Sequence, residues 1–299
     1  MTIAACYLSS EGVVLGADST STVFVAGRGT QSGSVHQYNF AQKVFELGPR
    51  GSTVGVALWG LGSLGRKSWR TLVAEMADEA HESKVATLKE VASIAATSFG
   101  KEYEAAFGEQ WLARARSLQA KDKERTPAEN AEYDRLLQTF SGGICLGGRW
   151  GTGREPSAFE IQFDPSGTAV PEPAELPRGT TKFWGCPNLV ERLIRGTDFP
   201  TYLRIVRSGK WSGTREDLIA LLEEEALGQP YDLPIREAID WIYASIYTTI
   251  KAMKFSHLAP VCGGPIEVAV ITSDRPFRWV RHKHLGQAIA AHETREVEP

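Results

Sequence analysis

The sequence predicts an α+β protein in a layered αββα arrangement, with antiparallel sheets in the middle and helices packed outside. The order of periodic segments carries this expectation. It runs strands, helices, strands, helices, strand, and it lacks the strict βαβα alternation of a parallel sheet. The composition agrees: 42% hydrophobic and 23% charged residues over 299 positions exclude a disordered, collagen-like or fibrous chain. The 29 glycines and eight tryptophans point to many tight turns and a bulky core.

The first sixty residues read as β. Residues 2–17 form a hairpin about Ser9-Ser10-Glu11-Gly12. Residues 23–39 are polar and rich in Gly and Ser, which suits a loop or an irregular hairpin. Lys43–Leu47 and Ser52–Trp59 are strands joined at Gly48-Pro49-Arg50-Gly51. Helical spacing then takes over. Leu64, Leu72, Val73, Met76 and Ala80 recur on one face, followed by Leu88, Val91, Ala95, Phe99, Tyr103 and Phe107. Residues 101–140 hold seven Lys/Arg and eight Asp/Glu, the pattern of a solvated helical hairpin. Its second arm starts at Thr126-Pro127-Ala-Glu129, a cap with proline in the first turn.

Strand signals return at Gly143–Gly148, Ala158–Phe163 and Thr181–Trp184, with a turn at Asp164-Pro-Ser-Gly167. A short helix begins at Pro187 and closes at Gly196. Another spans Thr214–Leu227 with Gly228 as its cap. Pro234–Lys254 is the clearest amphipathic helix, with Ile235, Ile239, Ile242, Ile246, Ile250 and Met253 in one stripe. The last strong strand is Ile266–Thr272, and the tail holds a short helix around Leu285–Ala291.

Length alone allows two domains or one large layered domain. The net charge of −3 does not favour nucleic acid as the main partner. No apolar run is long enough to span a bilayer, and the first residues make a poor signal peptide. Cys6, Cys145, Cys186 and Cys262 lie far apart. That spacing argues against a disulfide scaffold or zinc ribbon and suits the cytoplasm.

Several motifs carry little. Gly60-Leu-Gly62-Ser-Leu-Gly65 satisfies GxGxxG after a strand and before a helix. However, four β segments precede it without a crossover helix. Asp78 and Glu79 then fall inside a helix where a dinucleotide site needs an acid at a strand end. The segment reads as a glycine turn. His282-Lys-His284 has no third ligand at metal spacing and reads as a surface pair. Trp69, Trp111, Trp150 and Trp279 read as core or interface residues, and Glu223-Glu-Glu225 as a solvated helix face. Neither a cofactor nor a metal is expected.

The N-terminus is more informative. Thr2 follows Met1 and is small enough for removal of the initiator methionine. An N-terminal threonine combines a hydroxyl nucleophile with an α-amine of pKa about 7.7–8.0 that can serve as its general base. The stretch Thr2-Ile-Ala-Ala-Cys-Tyr-Leu-Ser-Ser-Glu-Gly-Val-Val-Leu-Gly-Ala-Asp18-Ser19 closely resembles the opening of proteasome β-type subunits. Further landmarks of that family follow in order: Lys43-Val-Phe45, Trp59-Gly60-Leu61, Ile144-Cys-Leu-Gly-Gly148, Phe159 to Gly167, Gly185-Cys186, and Cys262-Gly-Gly264 before the last strand. The resemblance covers about residues 2–272 with gaps. A threonine at position 2 without a propeptide is similar to the simpler bacterial relatives. The helical insertion and C-terminal extension look most like the β-proteobacterial proteasome homologue.

The resemblance implies the four-layer αββα sandwich of the N-terminal-nucleophile hydrolases. It also implies a threonine-dependent peptidase in a self-compartmentalised ring of stacked hexamers or heptamers, acting on peptides or unfolded proteins. It leaves an ATPase unfoldase partner open. On this reading Thr2 Oγ is the nucleophile and its amine the base. Lys43 favours the deprotonated hydroxyl, Asp18 orients Lys43, and the Gly60 N–H forms the oxyanion hole. Substrate would add as a strand between Ser21-Thr22 and Gly60–Gly62, with Leu58 as the floor of the first specificity pocket. Cys186 and Cys262 stand where the family has two serines near the amine, or else are simply buried small hydrophobes. The family's aspartate before the second serine is absent, with Ala259 in its place and Ser256 or His257 as candidate substitutes. The Asp18–Lys43 loop is longer than usual. These departures allow weak activity, a non-catalytic ring subunit, or an amidase of the same nucleophile class acting on a small molecule. Because the landmarks run from Thr2 to Cys262, the chain is expected to be one domain over residues 1–299. The segments 101–140 and 273–299 are expected to be additions to it.

Overall fold

A computed structural model describes residues 2–25, 34–224, 226–257 and 261–283. It is a mixed α+β structure. The first strands are β1 (Ile3–Leu8), β2 (Gly12–Ala17), β3 (Ser21–Val25), β4 (Ser34–Tyr38), β5 (Val44–Glu46) and β6 (Val54–Trp59). Helices α1 (Trp69–Glu82), α2 (Leu88–Phe107), α3 (Ala113–Lys121) and α4 (Pro127–Phe140) follow, then strands β7 (Gly142–Gly148), β8 (Ser157–Phe163), β9 (Ala174–Glu175) and β10 (Thr180–Gly185). Next come α5 (Asn188–Arg195), α6 (Phe199–Arg207), α7 (Arg215–Glu223) and α8 (Ile235–Phe255). Strands β11 (Glu267–Thr272) and β12 (Arg278–Arg281) close the described chain.

The strands make two antiparallel sheets of five, ordered β10-β1-β2-β11-β12 and β5-β6-β7-β8-β9, and a separate β3–β4 hairpin. Every residue of β1, β2, β6 and β11 is buried, so these strands read as apolar runs without polar alternation. The two-residue period sorts their side chains between two faces. Ala4, Cys6, Leu8, Val13 and Leu15 meet Ala57, Trp59 and Cys145 of the other sheet. Ile3, Ala5, Tyr7 and Val14 pack under Ile242 and Ile246 of α8 and Val190 of α5. On the far side, Val54, Val56 and Leu58 pack against Leu72 and Met76 of α1 and Val91 and Phe99 of α2. The stacked pair Trp59–Trp184, with ring centroids 4.5 Å apart, bridges the two sheets.

Side-chain caps set the helix starts. Ser68, Thr87 and Thr126 each accept a backbone N–H at the N-terminus of α1, α2 and α4, and Glu90 and Glu129 complete capping boxes. Several expectations need correction here. The first helix starts at Trp69 and not Leu64, because Leu64 and Lys67 pair as an isolated bridge. GxGxxG therefore does not open a helix. The helix after Thr214 stops at Glu223, where the chain turns so that the Leu227 N–H donates to the Leu193 carbonyl; Gly228 does not cap it. Helix α6 and strands β9 and β12 were not expected. The expected helix around Leu285–Ala291 lies outside the described residues.

The 101–140 segment divides. Tyr103 and Leu112 are buried in the main core, and a π turn, Gly108–Leu112, continues α2 into α3. Only α3 and α4 form the hairpin, around a small cluster of Ala115, Leu118 and Leu136. Of the four singled-out tryptophans, Trp69 is buried, Trp150 and Trp279 are partly buried, and Trp111 is largely exposed against Phe140. No helix among the described residues is long and apolar enough to cross a membrane.

Candidate functional site

Strand β1 brings Thr2 to the rim of a cleft between the two sheets. Ile3 pairs with Gly185 of β10. Gly185 has φ +83°, and a Cβ there would fall 1.9 Å from the Thr2 carbonyl oxygen. Only glycine lets the two chains pass this closely. Thr2 is 4% exposed.

Beyond β2, Asp18 is fully buried at 0% exposure and accepts four hydrogen bonds. The Ile3 N–H (3.1 Å) and Lys43 Nζ (2.6 Å) donate to its Oδ1, and the N–H groups of Thr20 (3.1 Å) and Gly263 (2.9 Å) donate to its Oδ2. A buried carboxylate persists only when paired and hydrogen-bonded in this way. Lys43, 7% exposed, also donates to the Thr20 carbonyl at 2.6 Å. Its ammonium is thus held between a carboxylate and a carbonyl.

Thr2, Lys43, Leu58, Gly60, Gly62, Ser21 and Thr22 line one cleft of about 60 Å³ together with Thr20, Gln42 and Trp69. Gly60 sits at φ +82°, where a Cβ would lie 2.4 Å from Gly142 Cα and from the Ser141 carbonyl. The turn is therefore fixed against the neighbouring strand, and a side chain there is excluded. Thr22 Oγ1 is buried in this wall without a hydrogen-bond partner.

Asp18, Cys186 and Cys262 do not line the cleft; they lie behind it. The buried Cys186 and Cys262 side chains act on each other behind Thr2, and the Thr2 backbone N–H acts on Cys186 to a smaller extent. The neighbouring Cys262 side chain holds the Cys186 thiol below the ordinary cysteine range, against the opposing effect of burial. Cys262 is pushed far up by the same contact with Cys186 and by its own burial. None of the four cysteines is in a disulfide, and all are buried. Ala259 lies outside the described residues. Ser256 and His257 are exposed at the end of α8, and neither lines the cleft.

Sequence reasoning missed two residues next to this site, Glu267 and Lys283. Lys283 lies between two histidines that read as a surface pair, yet its ammonium is buried against Glu267 at 3.2 Å, and His282 Nδ1 stands 2.9 Å from the same carboxylate. His284 lies outside the described residues. Among the described residues no cluster of three or more His, Cys, Asp or Glu side chains is arranged to hold a metal.

No family model matches the chain, and no curated protein matches it. Among solved structures it is similar to a mutant of Anbu from Hyphomicrobium sp. strain MC1. That likeness has a TM-score of 0.46 and 12% identity over 100% of this chain and 99% of the other.

Proposed function

We propose that the chain is a threonine-dependent peptidase of proteasome β type, with the four-layer αββα sandwich of the N-terminal-nucleophile hydrolases, working in a ring of like subunits. The observation that carries the reading is the buried Asp18–Lys43 pair, 2.6 Å apart, in a cleft whose walls include Thr2 and Gly60.

Removal of Met1 turns the Thr2 nitrogen into an α-amine beside the nucleophile. Thr2 Oγ attacks the scissile carbonyl carbon as the amine takes the hydroxyl proton, and the carbonyl π pair moves to oxygen. The Gly60 N–H stabilises that oxyanion, and loss of such a donor costs about 10²–10³-fold in rate. Collapse expels the amine half of the peptide with the proton and leaves an ester on Thr2, which water cleaves by the same route in reverse. Lys43 supplies positive charge beside the hydroxyl, and Asp18 keeps that charge in place. Cys186, which follows Gly185 opposite Ile3, takes a hydrogen bond from the amine where proteasome β-type subunits use a hydroxyl. An extended peptide adds along Ser21-Thr22 on one side and Gly60–Gly62 on the other, with Leu58 below its side chain.

A specific observation favours a second reading, a ring subunit of weak or no activity. A thiol is a poorer hydrogen-bond partner for the amine than a hydroxyl. Intact mass after treatment with a β-lactone decides between them. A peptidase gives a chain lacking Met1 with one adduct on Thr2, and Thr2→Ala gives none. Retained Met1 in active protein, or full peptide hydrolysis by Thr2→Ala, ends the threonine reading.

A further inference from the structure

The Asp18–Lys43 pair is backed by a second buried ion pair supplied from the other end of the chain. Glu267 opens β11 with its carboxylate fully buried. Its Oε2 accepts the backbone N–H of Lys43 at 3.4 Å. Its Oε1 lies 3.2 Å from Lys283 Nζ. Lys283 is delivered by β12, which pairs with β11 through a register shift at Val268/Ala269.

The Lys283 ammonium donates to the Ala41 carbonyl at 2.8 Å and to Ser19 Oγ at 3.3 Å. Those two residues already meet, since the Ala41 N–H donates to the Ser19 carbonyl at 2.9 Å. The Ser19 N–H in turn donates to the Gly263 carbonyl at 2.9 Å, and the Gly263 N–H holds Asp18. One buried cation therefore ties together the segment that carries Asp18 and the segment that carries Lys43.

We propose that Lys283, anchored by Glu267, is a positioning residue that fixes the backbone at Ser19 and Ala41 and so sets the separation of Asp18, Lys43 and Thr2. The proposal rests on the threonine-hydrolase reading. Stability alone is a poor reason to keep such a pair, because a buried ion pair is often no better than an apolar pair of equal volume. Its cost is visible in Lys283. Burial lowers its pKa and the nearby Lys43 charge adds to that, while Glu267 opposes both. The hydrogen bonds to two backbone segments are what an apolar pair would lack.

The test uses the full chain in its assembled state, comparing wild type, Lys283→Met and the double variant Lys283→Met/Glu267→Gln. The readouts are thermal midpoint and the rate of Thr2 labelling by a β-lactone. The single variant takes the buried ammonium from the Glu267 carboxylate and leaves it only His282 and the Lys43 N–H, so both the midpoint and the rate fall. The double variant removes that charge, so its midpoint returns toward wild type. Its labelling rate stays down by about 10²-fold, the scale of an ångström-sized misplacement, because Ala41 and Ser19 still lack their donor. A rate that returns with the midpoint makes the pair structural and overturns the proposal. If wild type is not labelled at Thr2, the threonine reading itself fails, and crystal structures decide the positioning. Lys43 displaced from Asp18 in Lys283→Met supports it, and an unchanged contact overturns it.

Discussion

At the residue scale, the unusual chemistry is the pair of thiols behind Thr2. The Cys262 side chain lowers the Cys186 thiol, so the Cys186 proton leaves at lower pH than an ordinary cysteine's. Removing Cys262 takes that effect away. In Cys262→Ala the onset of Cys186 ionisation should move to higher pH, read from thiolate ultraviolet absorbance against a Cys186→Ala/Cys262→Ala baseline. Cys145 does not interfere in that range, because burial between the sheets pushes its thiol well up. An unmoved or lower onset would mean that Cys262 does not lower the Cys186 thiol. At this scale hydrophobic runs place Thr2, Asp18 and the Gly60 turn at strand ends, while their choice as candidate site residues came from motifs resembling those of proteasome β-type subunits. The Glu267–Lys283 pair was not legible. Its contacts to Lys43 and Ala41 cross 224 and 242 positions, and a lysine between two histidines near the chain end looks solvated until the fold buries it.

At the element scale, legibility followed the strength of the period. Helix α8 stood out because its isoleucine stripe covers β1 and β2. Helix α6 did not, because it is only nine residues long and its apolar side chains are half-buried at most, too short a run for a period to separate helix from strand. Its only signals are Asp198, which accepts the Thr201 N–H at 2.7 Å, and Pro200 in the first turn. Strand β12 is a mostly exposed edge of arginines around Trp279, which alternation does not reveal. The start of α4 was legible from chemistry alone, and it makes a pH prediction. The Lys121 hydrogen bond, followed by the Thr126 backbone N–H, lowers the Glu129 carboxyl from 4.5 to about 2. A folded pKa below the unfolded one contributes stability above pH 4.5, and that contribution is lost as pH falls toward 2. Hydrogen exchange in α4 should therefore be faster in Glu129→Gln than in wild type at neutral pH. The difference should close as pH falls through that window. A difference independent of pH would remove the charged cap as its cause.

At the scale of the whole molecule, the question is which parts of the length belong to the layered body. Charge density marked residues 101–140 as an addition, but packing draws the boundary elsewhere. The Tyr103 hydroxyl donates to the Phe140 carbonyl at 2.9 Å, Leu112 is buried among the residues of α1 and α2, and Phe107 tilts against Phe140. Those groups close the end of the helical layer. The α3–α4 hairpin buries only a few side chains of its own. Apart from Phe140, its links outward are polar: Arg116 Nε donates to the Gly167 carbonyl at 3.2 Å, and Tyr133 donates to Ser166 Oγ at 3.1 Å. Charge could not separate the two parts, because Glu102 and Glu104 on the core helix look like the acids of the hairpin. Two deletions make the distinction measurable. Replacing residues 115–137 with a short Gly/Ser linker should leave a cooperatively folding chain, since it costs mainly the small cluster and exposed ion pairs worth little each. Deleting 101–140 strips Tyr103 and Leu112 from the core, where each large side chain is worth about 2–5 kcal/mol, a large part of the 5–15 kcal/mol that holds a typical domain together. That chain should lose its cooperative denaturant transition. If the shorter deletion also loses it, the hairpin is part of the folding unit.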